Sequence, residues 1–285
     1  MLDLWYSEKW SEETKFSIKI KEHLYSEQTP FQKIDFFTSN EYGRFFTLDG
    51  LIMITEKDEF SYHEMITHVP MCTNLNIKRV LVIGGGDGGT VRELTRYSSI
   101  EKIDMVEIDE RVVRLSQKYL PFTADKLTDE RVTLYFEDGL KFVRECEAKK
   151  YDLILVDSTD PISVGEGLFT KEFYEDCFRV LTDEGILVNQ HESPYYERYA
   201  KEMKKAHDKI KAIFPISKVY QFHQPTYASG HWLFGFASKK YHPLRDLNDI
   251  AWNMRGISCR YYTTTLHKGA FYLPYYVEEM LENVE

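Results

Sequence analysis

Two patterns of hydrophobic and polar positions divide the chain near residue 57. Before that point, apolar and polar residues alternate over residues 16–24 and parts of residues 31–38, as in strands with one buried face. The runs at 43–48 and 51–55 then flank an Asp-Gly pair, Asp49-Gly50, which is typical of a two-residue hairpin turn. The pattern predicts a small antiparallel β domain over residues 1–57.

The remaining segment, residues 58–285, has a different rhythm. A helical pattern begins at residue 59, and we expect it to end before Pro70. Strand patterns then alternate with helical ones, the strands at 79–83, 102–107, 132–136, 151–156 and 185–190 and the helices at 89–97, 110–119, 139–147 and 170–181. Such alternation predicts right-handed crossovers and an α/β fold with a doubly wound, mainly parallel sheet.

The last hundred residues break this alternation. A long amphipathic helix at 195–213 precedes two strand patterns near 216–223 and 231–238. These two strands are close enough in sequence to pair antiparallel at one edge of the sheet. The tail from residue 261 to 285 is rich in aromatic residues and ends in a short helical pattern, which we expect to pack on the main sheet or on a partner subunit.

Composition narrows the class of protein. A net charge of −10 disfavours nucleic acid as a partner and suits cationic small molecules. The four cysteines form no CxxC pair, so reduced thiols are expected rather than a disulfide framework or zinc site. No apolar run approaches the length of a membrane span, and the first residues lack the features of a signal peptide. We therefore expect a cytoplasmic protein without a membrane partner.

A glycine-rich turn that contains an acid is the strongest functional signal. Residues 84–89 read Gly-Gly-Gly-Asp-Gly-Gly between a predicted buried strand and a predicted helix. Such a turn lets the backbone approach a nucleotide or nucleoside closely. A turn that holds phosphate avoids acids, because a carboxylate would repel the phosphate. Asp87 therefore indicates a nucleoside ligand that carries positive charge.

Acids also end the next three predicted strands. Ligands bind beyond the carboxyl ends of the strands in an open parallel sheet. Glu107 follows the first glycine by just over twenty residues, the usual place for a carboxylate that binds ribose hydroxyls. Asp138 is suited to an adenine amino group, and Asp157 and Asp160 end the fourth strand. Helix capping is the alternative role for Asp138, Asp157 and Asp160.

These residues together resemble the spermidine synthases, the polyamine aminopropyltransferases, over nearly the whole chain. The matching stretches are 31–34, 48–50, 59–65 (EFSYHEM), 84–89, 106–109, 137–139, 157–161 (DSTDP), 166–169, 225–230 (PTYASG) and 260–262. The resemblance implies a Rossmann-like sheet of the class I methyltransferase type, a homodimer or homotetramer, and no prosthetic group or metal. It implies decarboxylated S-adenosylmethionine as co-substrate and a diamine such as putrescine as acceptor.

The resemblance also implies roles for individual residues, with Asp157 as the proton acceptor. The nucleoside part of the donor would be bound by Gln32, Gly84, Gly86, Glu107, Asp138, Gly139 and Val164. The aminopropyl group and the acceptor would be surrounded by Tyr62, His63, Asp87, Asp157, Ser158, Thr159, Asp160 and Tyr227. The family usually has Gly-Pro-Ala where this chain has Ser163-Val164-Gly165, a departure that bears on the backbone contact at Val164 and on acceptor choice.

Charge explains why such chemistry needs these acids. S-adenosylmethionine carries a carboxylate that its decarboxylated form lacks. Placed about 4 Å from Asp87, that carboxylate would cost roughly 4 kcal/mol at an effective dielectric near 20. The acceptor amine is protonated at neutral pH and must lose a proton before it attacks. We expect Asp157 to take that proton once the sulfonium of the donor, which lowers the pKa of the amine, is in place.

Three alternatives stay open at the level of sequence. An aminopropyltransferase could use agmatine, cadaverine or spermidine in place of putrescine, because pocket depth decides which chain fits. An S-adenosylmethionine methyltransferase could use the same sheet, although Asp87 argues against it. A non-catalytic module that binds a polyamine or a nucleoside is the third.

Overall fold

A computed structural model describes residues 3–158 and 166–282. Thr159, Asp160 and Val164, which the resemblance assigns to the site, and the rest of the Ser163-Val164-Gly165 departure lie outside the described residues.

The amino-terminal residues form two antiparallel sheets. In the described part of the chain, one sheet is a hairpin and the other has four strands in the order β3-β4-β5-β6. Asp49 and Gly50 adopt φ angles of 48° and 88° at the β5–β6 turn, as the Asp-Gly pair predicts. The strands are β1 (Trp5–Lys9), β2 (Lys15–Lys19), β3 (Glu22–Gln28), β4 (Lys33–Ser39), β5 (Gly43–Leu48) and β6 (Leu51–Thr55).

The alternation over residues 16–24 covers two strands of different sheets. The chain leaves β2 after Lys19, and Ile20 still donates its N–H to Leu4 O at 3.0 Å. Lys21 then donates to Thr38 O at 2.7 Å, which starts the pairing of β3 with β4. The alternation therefore continues across a change of sheet, and sequence pattern did not separate the two.

The first helix, α1 (Glu59–Thr73), contradicts the prediction that it ends before Pro70. Proline has no N–H, so the helix loses one backbone hydrogen bond at this point. Every residue from Ser61 to Thr73 is nevertheless buried, and Thr73 Oγ1 donates to Val69 O at 2.9 Å. Packing of the whole helix against the sheet outweighs the local cost of the proline.

The main sheet of the described chain has seven strands in the order β12-β13-β11-β10-β7-β8-β9. Strands β7 to β11 run parallel, and β13 and β12 add antiparallel at one edge, as predicted. These strands are β7 (Arg79–Gly84), β8 (Lys102–Val106), β9 (Val132–Tyr135), β10 (Tyr151–Asp157), β11 (Leu181–Gln190), β12 (Ile216–His223) and β13 (His231–Ser238).

Helices cover both faces of this sheet. Because both faces are buried, the central strands are almost continuously apolar: Val80 and Val82 of β7 pack in one core cluster, and Leu81 and Ile83 pack in the other. The helices after α1 are α2 (Gly89–Thr95), α3 (Glu110–Tyr119), α4 (Pro121–Ala124), α5 (Gly139–Glu145), α6 (Lys171–Val180), α7 (Glu197–Ile213), α8 (Asp249–Asn253), α9 (Thr264–Ala270) and α10 (Tyr275–Glu282).

The carboxyl-terminal tail packs on the main sheet. Val277 of α10 lies in a buried cluster with Val219 of β12 and Leu233 of β13. Glu64 of α1 anchors the start of the tail, because its carboxylate accepts the backbone N–H groups of residues 260–262 at 2.7–2.8 Å. Of the two alternatives expected from sequence, the main sheet or a partner subunit, the structure shows packing on the main sheet.

Strands β7 and β10 are neighbours whose following helices lie on opposite sides of the sheet, which is where a ligand crevice opens. Their last residues, Gly84 and Asp157, are paired in register. The fold therefore brings the glycine turn and the fourth acidic strand end to the same point.

Candidate active site

The glycine turn after β7 touches the end of β10. Gly84 has a φ of 80°, and a Cβ on it would lie 2.1 Å from the carbonyl oxygen of Asp157. The next residue, Gly85, donates its N–H to that same oxygen at 2.8 Å. The approach is possible only for a residue without a side chain, so Gly84 fixes the position of the Asp157 backbone.

Asp157 is a carboxylate in a protected, anionic environment. Its Oδ2 accepts a hydrogen bond from Thr90 Oγ1 at 2.6 Å, and its side chain also hydrogen-bonds with Tyr62. Burial and the neighbouring charge of Asp87 raise the pKa of Asp157. A carboxylate with a raised pKa is a better match for a proton-accepting role than an exposed one.

Asp87 lies in the same cavity but is stabilised in its ionised form. Its Oδ1 accepts the N–H of Gly89 at 2.8 Å and lies 3.2 Å from His63 Nε2. Burial acts to raise the pKa of Asp87, but the charge of His63 and its hydrogen bond outweigh burial, so the pKa is lowered. Two adjacent carboxylates thus have pKa values shifted in opposite directions.

Glu107 directly follows β8, on the other side of the glycine turn. Its Oε1 accepts the N–H of Asp109 at 3.0 Å, and burial raises its pKa to about 7. A Cβ on Gly86 would lie 3.0 Å from Glu107 Oε2, so the turn leaves room for this carboxylate. Ribose hydroxyls, which donate hydrogen bonds, are suitable ligands for it.

Asp138 caps the helix that follows it, as the alternative interpretation holds. Its Oδ1 accepts the N–H of Leu140 at 2.8 Å, at the first turn of α5. The same residue lines the cavity, so capping and ligand contact are compatible. Its neighbour Gly139 is buried, and a Cβ there would lie 2.7 Å from Ile83 Cγ2.

Two site residues are held by contacts between distant parts of the chain. Gln32 Nε2 donates to Asp109 Oδ2 at 3.2 Å, which ties the amino-terminal sheet to the end of β8. The hydroxyl of Tyr227 donates to the carbonyl of Met53 in β6 at 2.6 Å. Both side chains line the cavity.

One cavity therefore contains almost all the residues that the resemblance assigns to the site. Within the described residues, these are Gln32, Tyr62, His63, Gly84, Gly86, Asp87, Glu107, Asp138, Gly139, Asp157, Ser158 and Tyr227.

Sequence reasoning missed a second group of lining residues near the amino terminus. Glu8 is 1% exposed, with Oε2 accepting the indole N–H of Trp10 at 2.6 Å and Oε1 accepting the N–H of Ile52 at 2.6 Å. Trp10, Gln190 and Trp232 also line the cavity. Only the acid two residues before a tryptophan could have drawn attention, and that pattern by itself predicts no site.

The fold and this cavity, with a glycine turn beside a group of acids, have the features expected of an enzyme that acts on a nucleoside-containing substrate. Residues 59–249 match the family model described as Spermine/spermidine synthase domain, and residues 4–56 match the one described as Spermidine synthase tetramerisation domain. The chain belongs to the spermine/spermidine synthase family. The predicted family and α/β fold are thereby confirmed.

Individual relatives cover the whole chain. A polyamine aminopropyltransferase of Clostridium acetobutylicum is 69% identical over 286 residues, which is 100% of both chains. Another, from Alkaliphilus oremlandii, is 66% identical over 284 residues and also covers 100% of both.

Solved structures are similar over the same extent. A spermidine synthase in complex with the transition-state analogue AdoDATO superimposes with a TM-score of 0.95 at 38% identity, covering 98% of this chain and 94% of that one. Spermidine synthase from Thermotoga maritima gives 0.92 at 37% identity with the same coverage. Among residues 3–158 and 166–282, no helix combines the length and apolar character needed to cross a bilayer.

Proposed function

We propose that this enzyme transfers the aminopropyl group of decarboxylated S-adenosylmethionine to putrescine, with Asp157 as base, giving spermidine and methylthioadenosine. The observation that carries the proposal is the meeting of two buried carboxylates in one cavity, Asp87 beside His63 and Asp157 beside Thr90. Two organic cations need such a cavity, and family membership supports the same reaction.

The donor is placed by the glycine turn and the acids that flank it. Glu107 binds the ribose hydroxyls, Asp138 and the Gly139 backbone bind the adenine side, and Gln32 closes the site from the amino-terminal sheet. Gly84 and Gly86 keep the approach open. Asp87 then faces the aminopropyl ammonium, with His63 behind it.

The acceptor binds as an ammonium at Asp157, within reach of the aromatic rings of Tyr62 and Tyr227. Ser158 lines the same cavity. Asp157 takes one proton from the amine, whose nitrogen lone pair then attacks the methylene carbon next to the sulfonium. The carbon–nitrogen bond forms as the carbon–sulfur bond breaks. The electron pair of the carbon–sulfur bond stays on sulfur, so methylthioadenosine leaves as a neutral molecule. Holding both reactants in line supplies much of the acceleration.

Glu8 favours a diamine over a monoamine as acceptor. Glu8 is buried and lines the cavity, where its carboxylate accepts the indole N–H of Trp10. A buried carboxylate in a ligand cavity is well matched to the second ammonium of a linear diamine, because a cationic chain end pairs with a carboxylate and an apolar chain end does not.

Product identification tests the reaction. The purified protein is given decarboxylated S-adenosylmethionine with putrescine, cadaverine, agmatine, spermidine or n-butylamine in separate reactions, and products are identified by mass spectrometry. We expect methylthioadenosine and spermidine, with putrescine giving the highest kcat/KM and n-butylamine the lowest. Preference for another amine would overturn the choice of acceptor alone.

Two further outcomes would overturn the reaction itself. Transfer of labelled methyl from S-adenosylmethionine to an amine would identify a methyltransferase. Calorimetric binding of donor and amine without release of methylthioadenosine would identify a binding module.

We also propose a cytoplasmic homodimer or homotetramer assembled through an amino-terminal domain of residues 1–57, with residues 58–285 as the catalytic domain. The match of residues 4–56 to a tetramerisation model supports this role. Leu4 and Trp5, which are 52% and 57% exposed, provide apolar surface at the start of the first strand. Sizing chromatography with light scattering distinguishes monomer, dimer and tetramer.

A further inference from the structure

His63 lies between two carboxylates, one at each ring nitrogen. Nδ1 is 2.6 Å from Glu59 Oε2, and Nε2 is 3.2 Å from Asp87 Oδ1. The ring is 1% exposed, so water does not replace either contact. A neutral imidazole has one N–H and one lone pair, and would turn that lone pair toward one of the carboxylates. Both contacts are favourable only when the ring carries both protons.

Glu59 is itself held by Arg92. The guanidinium donates Nη1–H to Glu59 Oε1 at 2.9 Å and Nη2–H to Oε2 at 3.0 Å, a bidentate pair. Nη1 also donates to the carbonyl of Phe122 at 2.8 Å, which fixes the guanidinium. Arginine stays charged in proteins, so Glu59 is held both in place and in its ionised form.

The position of the imidazole ring is also fixed by the turn. A Cβ on Gly89 would lie 2.2–2.4 Å from three ring atoms of His63, so the ring packs directly on the backbone at the start of α2. Gly89 N–H and His63 Nε2 approach the same oxygen of Asp87. These two donors leave Oδ2 of Asp87 for a ligand.

We propose that Glu59, clamped by Arg92, is a positioning residue that keeps His63 doubly protonated and aimed at Asp87. Asp87 is then the fixed, ionised carboxylate of the site, and Asp157 is the one that exchanges a proton. The division of roles rests on the proposed function; the protonation of His63 does not.

The surrounding charges support this division. Two adjacent carboxylates would otherwise share one proton and titrate as a pair. The titratable groups that face His63 are Tyr62, Glu59, Asp87 and Asp157. Burial lowers the pKa of His63, but the carboxylates of Asp87 and Glu59 outweigh burial. The pKa of His63 therefore rises to about 10. Burial acts to raise the pKa of Glu59, but His63 and Arg92 lower it on balance.

The charge of His63 is measured directly by NMR. Protein with ¹⁵N-labelled histidine is titrated from pH 6 to 10. The chain has nine histidines, so the His63 signals are assigned by comparison with a His63→Gln variant. We expect both ring nitrogens of His63 to stay protonated through pH 9. A neutral ring at pH 7 would overturn the inference, whatever reaction the enzyme catalyses.

Glu59→Gln tests the role of Glu59, because it keeps a hydrogen-bond acceptor at Nδ1 and removes the charge. We expect His63 to titrate at least one pH unit lower than in the unchanged protein. The turnover number kcat should then fall about tenfold as pH rises through this lowered midpoint, because the neutral ring turns a lone pair to Asp87, a loss of the size expected for one hydrogen bond to a charged group. The midpoint of this fall should equal the NMR midpoint, which a merely structural role would not produce.

Glu93→Gln is the matched control. Glu93 is equally buried and also accepts from Arg92, at 3.1 Å from Nε, but it does not touch His63. In this variant we expect His63 to titrate as in the unchanged protein, and kcat to show no fall of the kind expected for Glu59→Gln. An unchanged His63 titration in Glu59→Gln would overturn the positioning role.

Two remaining outcomes are also decisive. If Glu59→Gln does not fold, Arg92→Lys replaces it, because lysine keeps the charge but loses the bidentate pair with Glu59. His63 should then titrate at a lower pH. An unchanged titration would overturn the inference. If no amine gives a product but the NMR results hold, the proposed function fails and the protonation of His63 stands.

Discussion

Thr90 donates its hydroxyl to Oδ2 of Asp157 at 2.6 Å. The contact joins the first turn of α2 to the end of β10, the two elements between which the crevice opens. A hydroxyl that donates to a carboxylate stabilises the ionised form and lowers its pKa. Burial and Asp87 act in the opposite direction on Asp157. Thr90 therefore moderates the affinity of the proposed base for its proton.

Replacing Thr90 by Val removes this hydroxyl donor and keeps a side chain of similar shape. We expect the pKa of Asp157 to rise further, so the acid limb of the pH profile of kcat moves to higher pH. Turnover at pH 7 should fall about tenfold, the size of one hydrogen bond to a charged group. Thr90→Ser, which keeps the hydroxyl, should behave like the unchanged enzyme. Identical pH profiles for Val and Ser would show that the hydroxyl has no influence on Asp157.

Asp157→Asn should remove turnover while donor binding persists. Loss of a general base costs about a thousandfold or more when no other group replaces it. Because burial and Asp87 disfavour the ionised form, removing the charge should also raise the melting temperature at pH 8. The raised pKa means that ionisation of Asp157 destabilises the fold as pH increases, so this gain should vanish in acid.

Asp152→Asn is the control for that substitution. Asp152 lies on the same strand, β10, but at its other end, where it accepts the N–H groups of Lys78 and Arg79. Steady-state kinetics should show near-normal turnover for this variant. Near-normal turnover in Asp157→Asn would instead remove Asp157 as the base.

Glu107 should release a proton when a nucleoside binds near neutral pH. Burial raises its pKa to about 7, and ribose hydroxyls that donate to the ionised carboxylate lower it again. In the free protein, protonated Glu107 contributes to the free energy of unfolding. This contribution is fully present below 4.5, the ordinary pKa of a glutamate, and is lost as pH rises through about 7.

Methylthioadenosine is the suitable ligand for this measurement, because it has no sulfonium to disturb Asp157. Calorimetry at pH 6.5 in two buffers of different ionisation enthalpy should show release of roughly half a proton or more per ligand. The Glu107→Gln variant should bind more weakly and release none. Equal release by both proteins would assign the proton to another group.

Asp87→Asn should weaken the preference for the decarboxylated donor. The estimate made from sequence, roughly 4 kcal/mol or a thousandfold, treats Asp87 as an isolated charge. The structure places His63 at 3.2 Å from its carboxylate, and a positive imidazolium offsets part of that charge. We therefore expect the ratio of the two binding constants to fall roughly ten- to hundredfold.

The ratio is measured by calorimetry with both forms of S-adenosylmethionine. Binding of methylthioadenosine, which lacks the aminopropyl group, serves as the control and should not change. If Asp87→Asn leaves the ratio unaltered, discrimination depends on the shape of the cavity rather than on this charge.

The acids of the site could be predicted because parallel strands bring their carboxyl ends to one edge. Asp87, Glu107, Asp138 and Asp157 all end or follow such strands, and all line the cavity. Position along the strand pattern was enough to group them, without any knowledge of side-chain contacts.

Contacts that depend on the path of the chain between distant segments could not be predicted. Glu8 reaches the cavity because its Oε1 accepts the N–H of Ile52, 44 residues away. The helix α1 continues through Pro70 because its whole length is buried, which local sequence does not reveal. Arg92 forms its bidentate pair with Glu59 across 33 residues.

Gly84→Ala should destabilise the protein and inactivate it together. The residue has a φ of 80°, and the new methyl group would lie 2.1 Å from the carbonyl oxygen of Asp157. A left-handed φ alone costs an alanine about 1 kcal/mol. Because the Asp157 backbone must also move, we expect a total loss of more than about 3 kcal/mol in the free energy of unfolding, measured with urea.

Gly256→Ala separates the two causes. Gly256 has a φ of 65°, but a Cβ there would meet no atom within 4 Å. This variant should lose only about 1 kcal/mol and keep full turnover, since it carries the conformational cost without the clash. If both variants lost the same stability, the close contact between the glycine turn and β10 would not constrain the site. The loss of activity in Gly84→Ala would then need another cause than displacement of Asp157.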